Sequence, residues 1–430
     1  MKRKLYFTLG ALMLLLCGCG RGSAETVPAE EPKIITQPEE PSEETEQGES
    51  EEQKGEQKES GLGDHNTEEA SEPESEPPAE EETETLTPEP ETEPAEPIDL
   101  IPVECADPKE IVMDFAGDVN FMDGCANMNY MAAQPGGITD CFSENLVEEM
   151  RSADIFMLNN EFAFSRRGEP LPGKSYTFRS DPDNAALLFD LGADIVGLAN
   201  NHIYDYGEEA LLDTLDTLDS AGMPHVGAGR DLADAGRPVY FLANGKTIAY
   251  TAATQIERST NYTKAATEDS PGVLKTLDPT EYCRVLREAK KHADFVVAFV
   301  HWGTEGSSFF EGDQVALARA FADAGADVII GGHTHCLQGI AYVSDVPVIY
   351  SIGNFWFSST PTDGVRPRDL GMAQVRLQED GTVIFRFLPC RQENHRTTLF
   401  SEGAERERIL AMEEGLSQGI TIDPDGVVHR

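Results

Sequence analysis

Five short apolar runs punctuate the chain after residue 108: IVMDFA (111–116), IFML (155–158), IVGLA (195–199), FVVAFV (295–300) and VII (328–330). Apolar runs of this kind, interrupted only by Asp114 and bounded by polar residues, predict strands buried on both faces, as in parallel sheets. Four of the five open on an Ala-Asp pair: Ala153-Asp154, Ala193-Asp194, Ala293-Asp294 and Ala326-Asp327. Glu161, Asn201 and His301 stand seven positions after their aspartates, and His333 stands six after its own. A strand rises about 3.3 Å per residue, so these offsets place the four side chains near one end of one sheet. The remaining run ends in Gly117-Asp118. Ligands of parallel sheets bind at the carboxyl ends of the strands, so the spacing predicts a single site.

Helical periodicity fills the intervals. Helices are expected over 143–152, from the Asp181-Pro182-Asp183 cap to Asp190, over 207–220, and over about 280–292 and 313–324. Asn244-Gly245-Lys246 predicts a hairpin between 238–243 and 247–253, and Glu379-Asp380-Gly381 another between 372–377 and 382–388. Residues 347–351 read as one more strand, and a peripheral helix is expected near 404–416. Strands alternating with helices, with hairpins added, give an α/β layered domain with a mixed sheet.

Composition separates the first hundred residues from this domain. Lys2, Arg3 and Lys4 precede an apolar run from Leu5 to Leu16, too short for a bilayer span, which needs about 20 apolar residues. Leu16-Cys17-Gly18-Cys19 resembles a bacterial lipobox, which implies a lipidated Cys19 at the mature N-terminus; an ordinary signal peptide with an incidental cysteine is the alternative. Residues 20–100 hold 28 acidic residues against 4 basic ones and are dense in Pro, Ser and Thr. Such a segment cannot offset its ordering entropy, so residues 20–108 read as a disordered tether, suited to spacing a domain from a membrane or simply to solubility. Residues 109–395 then form the domain and 396–430 an extension. With a formal charge of −45 and no basic stripe, nucleic acid is not an expected partner. The six cysteines beyond the signal (105, 125, 141, 283, 336 and 390) show no CxxC spacing, and both free thiols and disulfides fit them.

The chemistry gathers at the strand ends. His333-Thr334-His335 after two glycines places two imidazoles on one face, although taken alone such a pair also fits surface or core histidines. His301 adds a third imidazole, with Glu305 nearby as a candidate to orient it, and Asn201-His202 adds an amide and a fourth ring. Asp118 and Glu161 add carboxylates. Mixed nitrogen and oxygen donors suit one or two divalent ions of the Zn, Mn or Fe kind.

These stretches resemble the calcineurin-like metallophosphatase fold, whose motifs run GD, a bridging carboxylate, GNH, a lone His and GHxH. They resemble more closely the CapA family of poly-γ-glutamate capsule proteins. The matching residues are Gly117-Asp118-Val119, Asn160-Glu161, Ala199-Asn200-Asn201-His202 with Asp205 and Gly207, His301 through Glu305, Gly332 through His335 with Gln338, and Tyr350 through Phe355. The resemblance covers about residues 111–357 and implies a four-layer α/β/β/α sandwich. By position it assigns Asp118, Glu161 and His335 to one metal, and Glu161, Asn201, His301 and His333 to a second. It gives His202 the place of a general acid. It suggests Lys174, Arg179 and Asn354 as substrate contacts; Arg179 equally fits a surface charge pair. Two positions depart from the pattern: Asn120 stands where the metallophosphatases place a His, and Asp123 where CapA-like chains carry an Arg. The first metal set is therefore one ligand short.

Two functions follow as expectations. One is a surface-anchored, extracytoplasmic metallohydrolase of capsule biosynthesis or export, acting on a phosphoester or a glutamyl or peptide-like amide. The other is a non-catalytic lipoprotein that binds or guides poly-γ-glutamate or a related anionic polymer alongside the capsule synthesis proteins.

Overall fold

In the computed structural model, the described residues are 98–256, 262–364 and 368–430. The signal segment, Cys19 and the acidic run lie outside them. Two large sheets pack face to face. One has eight strands, in the order Arg396–Leu399, Val383–Glu393, Arg368–Gln378, Glu110–Val119, Ile155–Asn160, Ile195–Gly197 and His225–Val226, with Asn354–Trp356 also pairing Glu110–Val119. The other has seven, in the order Leu100–Val103, Val239–Ala243, Lys246–Thr254, Phe295–His301, Val328–Gly332, Val346–Ile352 and Leu337–Val343.

Alternation along one strand shows why its apolar run is unbroken. Phe295, Val297 and Phe299 enter the core between the sheets, beside Phe115, Met157 and Ile195 of the other sheet. Val296, Ala298 and Val300 face outward onto the helices Thr280–His292 and Gly312–Asp323, through Tyr282, Leu286, Leu317 and Phe321. On the far side, Phe156 and Leu158 meet Leu146, Met150, Leu211 and Leu215 of the helices Glu144–Ser152 and Gly207–Ala221. Helix, sheet, sheet, helix is thus the layer order, as expected.

The Ala-Asp pairs act as clamps between neighbouring parallel strands. The Asp154 carboxylate accepts from Val112 N (2.8 Å) and its own N–H donates to Val112 O (2.9 Å). Asp194 repeats this on Phe156, at 3.0 and 2.9 Å, Asp294 on Thr247, at 2.8 and 2.9 Å, and Asp327 on Val296, at 2.8 and 2.8 Å. Each strand is fastened to its neighbour at the start, so the ends come out level: Thr254 lies beside His301 and His301 beside Gly332.

Three expectations need correction. The four clamped strands do not share one sheet; two lie in each, because the hairpin Val239–Thr254 starts a second sheet that the spacing could not distinguish. The tether does not extend to residue 108. Leu100–Val103 pairs in parallel with Val239–Ala243, since an apolar segment meeting an edge strand can satisfy its open backbone groups. The extension beyond 395 is part of the fold. Arg396–Leu399 is an edge strand, and the helix Ala404–Leu416, at the expected position, places Ile409 and Leu410 in the core between the sheets. The 181–190 helix starts as a 3-10 turn, Pro182–Ala185, capped by Asp181. Cys125, Cys141, Cys283, Cys336 and Cys390 are free thiols.

Two expectations for stability follow. Asp154→Ala removes the acceptor for Val112 N and Ala106 N, and should cost about 1.5–3 kcal/mol in urea melts, with Asp154→Asn costing less; an unchanged midpoint would contradict the clamp. The second concerns Asp114. Burial, then Glu149, raises its carboxyl from 3.8 to about 8, against the pull of Gln374, Arg376 and Arg386. The folded state therefore keeps this proton while the unfolded chain releases it. Stability is fully present below the unfolded value, falls as pH rises, and levels off above about 8. Asp114→Asn should gain on the wild type as pH goes from 5 to 9; parallel curves would refute this.

Candidate metal centre

The level strand ends of both sheets converge on one buried cluster. Asp118, Glu161, Asn201 and His202 come from the eight-stranded sheet, and His301, His333 and His335 from the seven-stranded one. Close backbone contact brings the two together. A Cβ on Gly117 would lie 1.8 Å from Gly353 O, where the chain leaves the seven-stranded sheet; within that sheet, one on Gly331 would lie 2.0 Å from Tyr350 O, so glycine is required at both. His333 (φ 90°) and His335 (φ 58°) adopt left-handed backbone. Such residues each cost on the order of 1–3 kcal/mol and concentrate at functional sites.

Two ligand groups overlap. Glu161, His301 and His333 offer atoms all within 4.8 Å of one another, and so do Asp118, Glu161 and His335. His301 Nε2 lies 3.6 Å from Glu161 Oε1, 3.1 Å from His333 Nδ1 and 2.9 Å from Asn201 Oδ1. His335 Nδ1 is 3.4 Å from Asp118 Oδ2. Both Glu161 oxygens and Asp118 Oδ2 are buried with no hydrogen-bond partner among the described residues.

The electrostatics ask for a cation. Burial, then the neighbouring Asp118, pushes the Glu161 carboxyl well above its ordinary value. Burial also works against ionised Asp118, but His335, His301 and the Asn159 amide outweigh it and hold that carboxyl at about 2. Burial pushes His301 down to about 3, so it is the neutral imidazole a metal needs. Unpaired carboxylate oxygens beside the neutral His301 ring fit a divalent ion. Glu161 would be shared between two such ions, with Asn201, His301 and His333 on one side and Asp118 and His335 on the other. Asn120 is not available to the latter: its amide donates to Ser358 O (3.2 Å) and accepts from Met122 N (2.8 Å).

His202 sits at the edge of the cluster, its Nε2 3.9 Å from Glu161 Oε1. Its Nδ1–H donates to Asp205 Oδ2 (2.7 Å), and its ring lies on Phe178 with centroids 4.2 Å apart. Lys174 bonds to Asp205 and to Asn201 O, so its charge is committed to holding that loop. Asn354 Oδ1 meets His335 Nδ1 at 2.6 Å and orients that ring. Arg179 is turned away: its guanidinium donates to Arg167 O and Gly168 O and lies over the Tyr206 ring. Its expected place as a substrate contact is not where the structure puts it, because those open loop carbonyls capture it. Glu305 does not bond His301; it lines the adjoining cleft with Lys174, Tyr176, Asn354 and Arg368. Two roles escaped the sequence reading. Asn159 donates to Asp118 Oδ1 (2.8 Å), and Asn200 braces Asn159 (3.1 Å). The Asn-Asn doublets at successive strand ends were the available signal.

A family model described as bacterial capsule synthesis protein PGA_cap matches residues 112–359. The chain is 37% identical over 217 residues to the PGA biosynthesis protein CapA of Bacillus subtilis (strain 168), covering 50% of this chain and 55% of that one. It is 32% identical over 246 residues to the capsule biosynthesis protein CapA of Bacillus anthracis, covering 55% and 57%. The match thus spans just over half the length of these relatives. Among solved structures, a hypothetical protein from Thermus thermophilus is similar at a TM-score of 0.40 and 16% identity, over 66% of this chain and 100% of that one. A 5′-nucleotidase from Candida albicans SC5314 is similar at 0.35 and 11%, over 64% and 48%. Likenesses at this level say nothing about substrate.

Glu161 is the residue on which metal binding should turn. Glu161→Gln should abolish divalent-ion uptake measured by elemental analysis, whereas His335→Ala should spare the group of Asn201, His301 and His333. Metal-free Glu161→Gln should also gain stability on the metal-free wild type as pH rises, since the amide never carries the buried charge beside Asp118 that burial and Asp118 disfavour. Full metal content in Glu161→Gln would refute the assignment.

Proposed function

The chain belongs to the bacterial capsule synthesis family PGA_cap, and from that premise we propose a surface-anchored protein of capsule biosynthesis or export, held at the extracytoplasmic face through a lipidated Cys19. It handles poly-γ-glutamate or a related anionic polymer, alongside the capsule synthesis proteins, at a centre of hydrolase type. The observation that carries this reading is buried Glu161, with both oxygens unpaired and two sets of ligands around it. A divalent ion of the Mn, Zn or Fe kind would supply Lewis-acid polarisation of a carbonyl or phosphoryl group there. The chain's own contribution is His202. Asp205 accepts from Nδ1–H and supports the imidazolium form, whose Nε2–H, turned toward the cluster, would give a proton to a leaving group. Burial lowers the basicity of this ring, against the opposing pull of Asp205.

A second reading, a non-catalytic polymer-binding lipoprotein, is favoured by Asn120, whose bonds to the backbone leave the Asp118 side one ligand short. Metal-loaded protein offered phosphoesters and γ-glutamyl amides separates the two. Turnover of either class, reduced about 10²–10⁴-fold in His202→Ala, is expected. If neither class is hydrolysed, and capsule forms normally in cells whose protein carries alanine at both 301 and 333, the hydrolase reading fails.

A further inference from the structure

The cleft beside the ligand cluster has a volume of about 260 Å³. Pockets for drug-sized ligands run to about 300–1,000 Å³, so this one is suited to a head group rather than a length of polymer. Its lining carries charge of both signs. Lys174 is committed to Asp205, but the side chains of Arg368, Glu305 and Asp363 line the same space and make no hydrogen bond or ion pair with a described residue. The residue after Arg368, Asp369, is shared by Arg391 and Arg408. Tyr176 and Phe357 complete the cleft with apolar surface, and His202, His335 and Asn354 form its inner wall.

A simple anion would meet Glu305 and Asp363, and a simple cation would meet Arg368. A group bearing both charges satisfies all three. We propose that this cleft binds the free α-amino-acid end of a peptide chain. Arg368 takes the α-carboxylate through its planar fork, Glu305 and Asp363 take the ammonium, and the rest of the head group extends toward His202 and the metal ligands. This assignment rests on the proposed ligand-handling metal centre and adds the end of the chain that enters it.

Isothermal titration calorimetry on the full chain in detergent, loaded with Mn, provides the test, with γ-linked triglutamate, its N-acetylated form and inorganic phosphate as probes. Triglutamate with a free amino end should bind. N-acetylation and Arg368→Gln should each weaken binding about tenfold or more, as expected for a lost charge-assisted contact. The double variant Glu305→Gln with Asp363→Asn should bind the free and acetylated peptides alike. None of the three side chains is buried, so the variants leave the core intact. Equal affinity of the wild type for free and acetylated peptide, or tighter binding of phosphate, would overturn the proposal while leaving the metal centre standing. Bound metal without peptide binding would do the same; a chain that takes up no metal would remove the functional reading as well.

Discussion

The aspartate that opens each of four strands is the constraint on which the site depends. Its carboxylate and its own N–H grip one residue of the neighbouring strand, so each strand starts at a defined register. A slip of one residue would turn every side chain to the opposite face. With register set at the start and a common rise per residue, the ends reach a common level, and ligands far apart in sequence meet within a few ångströms.

What they meet around is electrostatically unfinished. Asp118 and Glu161 are both fully buried and adjacent, and only one of them keeps a low proton affinity. Buried charge is tolerated where it is paired or coordinates metal. The left-handed backbone at His333 and His335 is a further cost carried by the surrounding sheet. Stability elsewhere, in three apolar layers, supports a centre that is itself unfavourable without a cation.

Much of this was legible beforehand. The apolar runs announced strands covered on both faces, the Asn-Gly pair announced its hairpin, and the offsets from Asp154, Asp194, Asp294 and Asp327 announced which polar side chains gather at the strand ends. Arg179 was misplaced because a cation beside a motif looks the same in sequence whether it faces substrate or a loop carbonyl. Arg368 went unnoticed for the converse reason: it lies far from every motif and reaches the cleft only because its strand starts there.

The sequence by itself determined which residues could bind metal, which segments would be strands, and the spacing that aligns their ends, since these follow from local periodicity and side-chain chemistry. Only the tertiary structure decided that the clamped strands divide between two sheets, that Leu100–Val103 and the last 35 residues belong to the folded body, and which charges in the cleft are already spoken for. Those outcomes depend on edge pairing, burial and contacts between distant segments, and no local pattern records them.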